Sequence, residues 1–124
     1  MPDVTKTRRI ELAGKASDAA SVALARLQEL SNSGNPDVAA RATALLILDR
    51  NEQDDLRVLQ AILGNKPVSQ LKPISDENLA LLAALENSID TRIQNSRLIN
   101  ASLAGVSEIL RSAEAIGQIL KETP

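Results

Sequence analysis

The sequence predicts an all-α fold: an antiparallel helical hairpin or three-helix bundle with one long, coiled-coil-like C-terminal helix. Three observations predict it. Apolar residues recur at spacings of three and four along most of the 124 residues, the period of one helix face. Proline and glycine interrupt this pattern at 34–36 and again at 64–73. The segment 76–120 contains no proline and carries a heptad pattern of about five repeats.

The first helix is predicted over about residues 4–31. Its apolar face is rich in alanine, which has a high helix propensity and lets a neighbouring helix approach closely. The residues expected to be buried are Leu12, Ala16, Ala19, Ala23, Leu27 and Leu30. Gly34 tolerates the backbone conformation that ends a helix, Asn35 is a good N-cap, and Pro36 suits the first turn of the next helix.

The second helix is predicted over 36–63. Its expected buried residues are Val38, Ala42, Leu45, Leu48, Leu56, Leu59 and Ile62. The polar run 49–55 (DRNEQDD) lies in its middle, where we expect the helix either to be solvated on all sides or to break. Paired carboxylates in this run suggest an acid and base or a cation site. Proton transfer also needs a pocket that perturbs a pKa, and a hard cation needs more oxygen ligands. We therefore predict no catalytic or metal-binding role for it.

A loop is predicted over 64–75, because Gly64 ends the second helix and two prolines prevent a new one from starting. Ser75, followed by two acidic residues, caps a third helix predicted over 76–120. At 1.5 Å per residue this helix would be about 65 Å long, more than the earlier helices can cover. Part of its apolar seam must then meet a partner protein, a second copy, or the first helix folded alongside. The polar residues around 94–97 are interpreted as a register layer or a mild hinge.

The composition excludes several kinds of chemistry. The chain contains no His, Cys, Trp, Tyr or Phe. Zinc sites built on His or Cys, nucleophiles that depend on them, haem ligation and disulfides are thereby excluded. Sixteen acidic and fourteen basic residues give a net charge of -2, and no aromatic ring is present to stack on bases, so we expect no nucleic-acid binding. Phosphate-binding and calcium-binding loop motifs are also missing, and we predict a protein that is not an enzyme and carries no cofactor.

Targeting signals are not found in the sequence. No apolar run approaches the roughly 18–20 residues of a membrane span, and the first fifteen residues lack the apolar core of a secretory signal. The basic residues Lys6, Arg8, Arg9 and Lys15 are interrupted by acidic ones and are interpreted as a solvated helix start. We therefore expect a cytoplasmic protein.

The segment 71–110 carries a family resemblance, which extends at most over residues 45–120. LKPISDENLALLAALE followed by NSRLINASLAGVSEIL resembles the second half of the FlgN-type flagellar export chaperones of bacteria. In that family a helix rich in Leu and Glu leads into a C-terminal helix that begins with Asn and Leu and continues with small and apolar residues at helical spacing. The matching positions, which we predict to bind a partner, are Asn95, Leu98, Ile99, Leu103, Val106 and Leu110.

This resemblance implies a non-enzymatic cytoplasmic chaperone that holds hook-associated proteins before type III secretion. The residues at 99, 103, 106 and 110 share one helix face, and the helix lengths leave this half of the long helix the least covered by the hairpin. We therefore predict an exposed face that packs against an amphipathic helix of the client. The alternative is a structural or adaptor bundle whose coiled-coil seam is satisfied by homo-oligomerisation.

Overall fold

The computed structural model describes residues 6–93, 97–98 and 100–122. Within those residues the chain is all-helical and forms no strand, which confirms the predicted fold class. The described elements are α1 (Lys6–Ser31), α2 (Pro36–Asn65), α3 (Asp76–Arg92) and α4 (Leu103–Glu122), with a short 3-10 turn at Val68–Gln70.

Helix α1 is the centre of the bundle and packs most extensively against α2, then against α4. The α1 and α2 helices are antiparallel, because the Ser21 hydroxyl donates to Gln53 and the Gln60 amide donates to the Ile10 carbonyl at the other end. Arg26, late in α1, donates to the carbonyl of Ala101, just before α4 begins. Helix α3 packs mainly on α4.

The alanine-rich face of α1 forms the core, as the sequence predicts. Leu12, Ala16 and Leu27 are buried there, and Leu30 packs against the core from its edge. Its remaining predicted members, Ala19 and Ala23, are buried as well. Because these side chains are short, α2 and α4 can both lie close to α1.

Side-chain caps fix the starts of α2 and α3 at the predicted residues. The Asn35 side chain accepts hydrogen bonds from the backbone N–H groups of Asp37 (3.0 Å) and Val38 (3.4 Å). The Ser75 hydroxyl accepts one from the N–H of Asn78 at 3.2 Å. Each cap satisfies backbone donors that the first turn of a helix leaves unpaired. Helix α2 ends at Asn65, two residues beyond the predicted end at 63.

The prediction of one long helix over 76–120 is wrong. Helix α3 ends at Arg92 and α4 begins at Leu103. The new start is capped by Ser102, whose hydroxyl accepts from the N–H of Gly105 at 3.2 Å and whose carbonyl accepts from Val106 at 3.0 Å. Two shorter helices bury apolar residues of both halves against the rest of the bundle, whereas a single helix of about 65 Å would leave part of its seam in water.

The expectation that the polar run 49–55 is solvated on all sides or broken is also wrong. Helix α2 continues through it without interruption. Asp49 and Gln53 are buried, and Glu52 is half-buried. Gln53 reaches α1 through its hydrogen bond with Ser21, so one face of the run contributes to the bundle interior.

Candidate functional site

The predicted partner-binding residues lie largely inside the bundle. Leu98 and Leu110 are each 8% exposed, Val106 is fully buried, and Leu103 packs against the core from its edge. The other two, Asn95 and Ile99, lie outside the described residues. The expectation of an uncovered face is wrong at the described positions, because α4 packs against α1 and α3. Partner binding by these residues stays a prediction, and it requires α4 to separate from its neighbours.

A different helix face of the bundle is open. Four large aliphatic residues project from the side of α2 that faces away from α1. They are Ile47 (60% exposed), Leu48 (60%), Val58 (58%) and Ile62 (50%). Positions 44, 48, 51, 55, 58 and 62 follow one another at spacings of four and three, which places them on one face. We call Ala44, Ile47, Leu48, Asn51, Asp55, Val58 and Ile62 the outer stripe.

The outer stripe overturns part of the predicted α2 core. Leu48 and Ile62 were expected to be buried, but both are at least half exposed. Helix α2 has aliphatic residues on two faces, and its neighbours cover only the other one. The buried apolar residues of that covered face are Ala42, Leu56, Leu59 and Leu63.

A shallow depression of about 440 Å³ adjoins the outer stripe, between α2 and α4. Leu45, Leu48 and Leu110 supply its apolar lining. Its polar lining comprises Asn51, Glu52, Asp55, Ser107, Arg111 and Glu114. Burial raises the pKa of the Glu52 carboxyl, and the negative charge of Glu114 across the depression raises it further.

The two helices approach closely beside this depression, at Gly117. A Cβ atom added at this glycine would lie 3.2 Å from Cδ2 of Leu56 and 3.5 Å from Oε1 of Glu52. The glycine therefore sets how near α4 can come to α2.

A buried polar layer crosses from α2 to α1. Asp49 is fully buried, and its Oδ1 accepts a hydrogen bond from the Gln53 amide at 3.0 Å. Gln53 in turn accepts from the Ser21 hydroxyl at 3.0 Å. Among the described residues, Oδ2 of Asp49 has no hydrogen-bond partner. Burial therefore raises the pKa of the Asp49 carboxyl to about 6.

Ion pairs link α3 to the first half of α1. Arg8 contacts Glu86 at 2.6 Å, and Lys15 contacts Glu86 at 3.2 Å and Asp90 at 2.7 Å. Burial of the Glu86 carboxyl raises its pKa. Hydrogen bonds from Arg8 and Lys15 together lower the pKa by more than burial raises it, so the pKa of Glu86 lies below its usual value. These groups hold α3 in place and are partly exposed to solvent.

Two kinds of site are not found in the described part of the chain. No group of three or more acidic side chains is arranged there to hold a metal ion. No helix there is both long enough and apolar enough to cross a bilayer.

Comparison with known proteins yields no match to a family model, to a curated protein or to a solved structure. Function is therefore inferred from the residues and their geometry.

Proposed function

We propose that this chain is a non-enzymatic helical bundle that binds a partner protein by packing a helix against the outer stripe of α2. The observation that carries this proposal is the exposure of four large aliphatic side chains on one face of one helix. Large apolar patches rimmed by polar residues are typical of protein interaction sites. Burial of each such side chain contributes about 1.5–3 kcal/mol, and positions 44–62 span about 27 Å of helix.

A flagellar export chaperone is the specific form that we propose first. Its support is the resemblance of 71–110 to the FlgN-type chaperones, in which the partners are hook-associated proteins awaiting type III secretion in the cytoplasm. An open apolar helix face suits this task, since it shields an amphipathic helix of the client from water. On this proposal the outer stripe makes the first contact, and the buried seam of α4 joins only if the bundle opens.

A structural or adaptor module that associates with its own copies is the second candidate. The observation that favours it is the order of residues along the outer stripe, where aliphatic residues at both ends flank Asn51 and Asp55. A stripe of this kind is able to pair with an inverted copy of itself.

The proposal is tested by isothermal titration of the purified chain with purified hook-associated proteins. Leu48→Asp places a charge in the outer stripe and should weaken binding by about 10–100-fold, the equivalent of one buried leucine. Leu81→Asp on α3 is the matched control, because Leu81 is also an exposed leucine (46%) but lies on another helix. Circular dichroism should show that both variants remain helical.

Unchanged binding by Leu48→Asp would reject the outer stripe as the binding surface. If no hook-associated protein binds the wild-type chain, the chaperone form is rejected and the second candidate takes its place. In that case an oligomeric chain would support binding of protein by the outer stripe, and a monomeric chain would reject it.

A further inference from the structure

We infer that α3 is a hinged cover, which lifts off one flank of α4 while α1, α2 and α4 stay packed together. Three ion pairs to α1 hold this cover closed in the structure. The inference concerns a different surface from the outer stripe, so it does not depend on what the outer stripe binds. Its consequence is a second apolar surface, which is exposed only when the cover opens.

Helix α3 is only lightly embedded in the bundle. Of its 17 residues Leu82 and Ile89 are buried, whereas the 26-residue α1 buries nine. It packs mainly on α4 and has much less contact with α1 or α2. Local opening is favoured where few apolar contacts must be broken. Separation of α3 therefore exposes far less apolar surface than separation of α1 does.

Ion pairs are the main link between α3 and α1. Glu86 contacts Arg8 at 2.6 Å and Lys15 at 3.2 Å, and Asp90 contacts Lys15 at 2.7 Å. Both carboxylates lie in the last two turns of α3. All four side chains are partly exposed, so water solvates their charges when they separate. Pairs of this kind are individually weak and are screened by salt, which makes the link reversible.

The order of the helices around α4 indicates what α3 covers. On one side Gly117 lies close to Leu56 of α2, and Leu110 lines the depression shared with α2. Helix α1 packs against both α2 and α4 and is linked to α3, so it lies between α2 and α3 around α4. The buried flank of α4 that is farthest from α2 therefore faces α3. We call it the covered flank, and it comprises Ile109, Ser112, Ile116 and Ile119.

The covered flank is a continuous, mostly apolar surface. Its members follow one another at spacings of three, four and three residues, and each is at most 5% exposed. At 100° per residue, Ser112 and Ile119 lie at its outer edge, on the opposite side of α4 from Gly117. These two positions therefore become accessible first when α3 lifts.

The chain on either side of α3 allows it to move without the other helices. Segments 66–75 and 93–102 separate it from α2 and α4. Both segments are anchored to α1, because the Lys72 carbonyl accepts a hydrogen bond from the buried Arg9 and the Ala101 carbonyl accepts one from Arg26. The movement is thereby confined to the chain between Lys72 and Ala101, and α2 and α4 keep their positions.

Cysteine accessibility tests this inference, because the natural chain contains no cysteine. Ser112→Cys places a thiol on the covered flank, where the serine is 5% exposed, and Ser17→Cys places the control on α1, where it is 7% exposed. Ser17 lies one turn before Ser21, which contacts α2, so it is on a different interface. With iodoacetamide in excess, Ser112→Cys should react at least about tenfold faster than Ser17→Cys.

Urea separates opening of the cover from unfolding of the whole chain. Opening of α3 exposes little surface, so the reaction rate of Ser112→Cys should rise only slightly in dilute urea. The rate of Ser17→Cys should rise steeply, since it requires global unfolding. Equal rates with equal urea dependence at the two positions would overturn the inference.

The ion pairs are tested by a second substitution in the Ser112→Cys chain. Glu86→Gln removes two of them and should raise the reaction rate about fivefold in dilute buffer, and by less in high salt. Glu29→Gln is the control, because it removes an exposed ion pair with Arg26 inside α1 and should leave the rate unchanged. An unchanged rate with Glu86→Gln would overturn the inference, because the ion pairs would not hold the cover closed.

Hydrogen exchange of the wild-type chain gives the same test if a cysteine variant fails to fold. The backbone amides of α3 should exchange faster than those in the middle of α1, and high salt should speed exchange in α3. Equal protection of the two helices would overturn the inference.

Discussion

Asp49→Asn should stabilise the bundle at neutral pH. The Asp49 carboxyl is fully buried, and its Oδ2 has no hydrogen-bond partner among the described residues. Its pKa is raised by burial from the ordinary value of 3.8 to about 6 in the folded protein. One pKa unit is equivalent to about 1.4 kcal/mol, so the charged carboxylate costs about 3 kcal/mol of folding free energy.

The sign of the pH dependence of stability follows from the difference between the pKa of Asp49 in the folded protein and its ordinary value in the unfolded chain. The folded state holds the proton more tightly than the unfolded chain does. The stabilisation from Asp49 is therefore complete below pH 3.8 and is lost as the pH rises through about 6. Asparagine has no charge to bury, so the variant should lose this dependence and be more stable at pH 8. The gain should reach at most about 3 kcal/mol, or about 10 °C in melting temperature.

Urea denaturation between pH 4 and pH 8 is the suitable assay. It is followed by far-ultraviolet circular dichroism, since the chain has no Trp or Tyr for fluorescence. Asp54→Asn is the matched control, because Asp54 is exposed on the same helix and its replacement should change stability by less than about 0.5 kcal/mol. Equal pH slopes for wild type and Asp49→Asn, or a less stable variant at pH 8, would refute the reasoning.

Two further predictions concern helix packing. Glu86→Gln should lower stability by about 1 kcal/mol in dilute buffer and by less in high salt, since it removes partly exposed ion pairs to Arg8 and Lys15. The stabilisation from these ion pairs should be present above pH 4.5 and lost as the pH falls through the lowered pKa of Glu86. Equal losses of stability in dilute buffer and in high salt would contradict an ionic origin. Gly117→Leu should destabilise the bundle by about 1–3 kcal/mol in thermal denaturation, because its Cβ alone would lie 3.2 Å from Cδ2 of Leu56 and the rest of the side chain would have to displace side chains of α2. Gly105→Leu is its control, and equal losses in the two variants would contradict the close approach at Gly117.

Local sequence signals predicted the fold class and the starts of α2 and α3. Asn35 and Ser75 cap helices wherever the following residues are helical, so their meaning does not depend on the rest of the fold. The break between Arg92 and Leu103 contains neither proline nor glycine. Ser102 is a possible cap, but a serine within a helical pattern is also compatible with a continuous helix. The break is favoured by packing of α4 against α1, which local sequence patterns do not record.

The outer stripe was not predictable from helical periodicity. Leu48 and Ile62 are the same types of residue as Leu56 and Leu59, yet the first two are exposed and the others are buried. The apolar arc of α2 extends too far around the helix for its pattern to show which part faces α1. The burial of Asp49 was not predictable either, because Asp49 belongs to a run of polar residues, and such a run suggests that solvent surrounds the helix on every side.

On the proposed function, the outer stripe of α2 is the protein-binding surface. Methyl NMR spectra recorded as the chain is concentrated, or as a hook-associated protein is added, test it most directly. We expect the methyl signals of Leu81 to stay fixed while those of the outer stripe shift. The reporting residues of the outer stripe are Ile47, Leu48, Val58 and Ile62. Shifts at Val106 and Leu110 with unchanged outer-stripe signals would contradict it and place binding on an opened α4 instead.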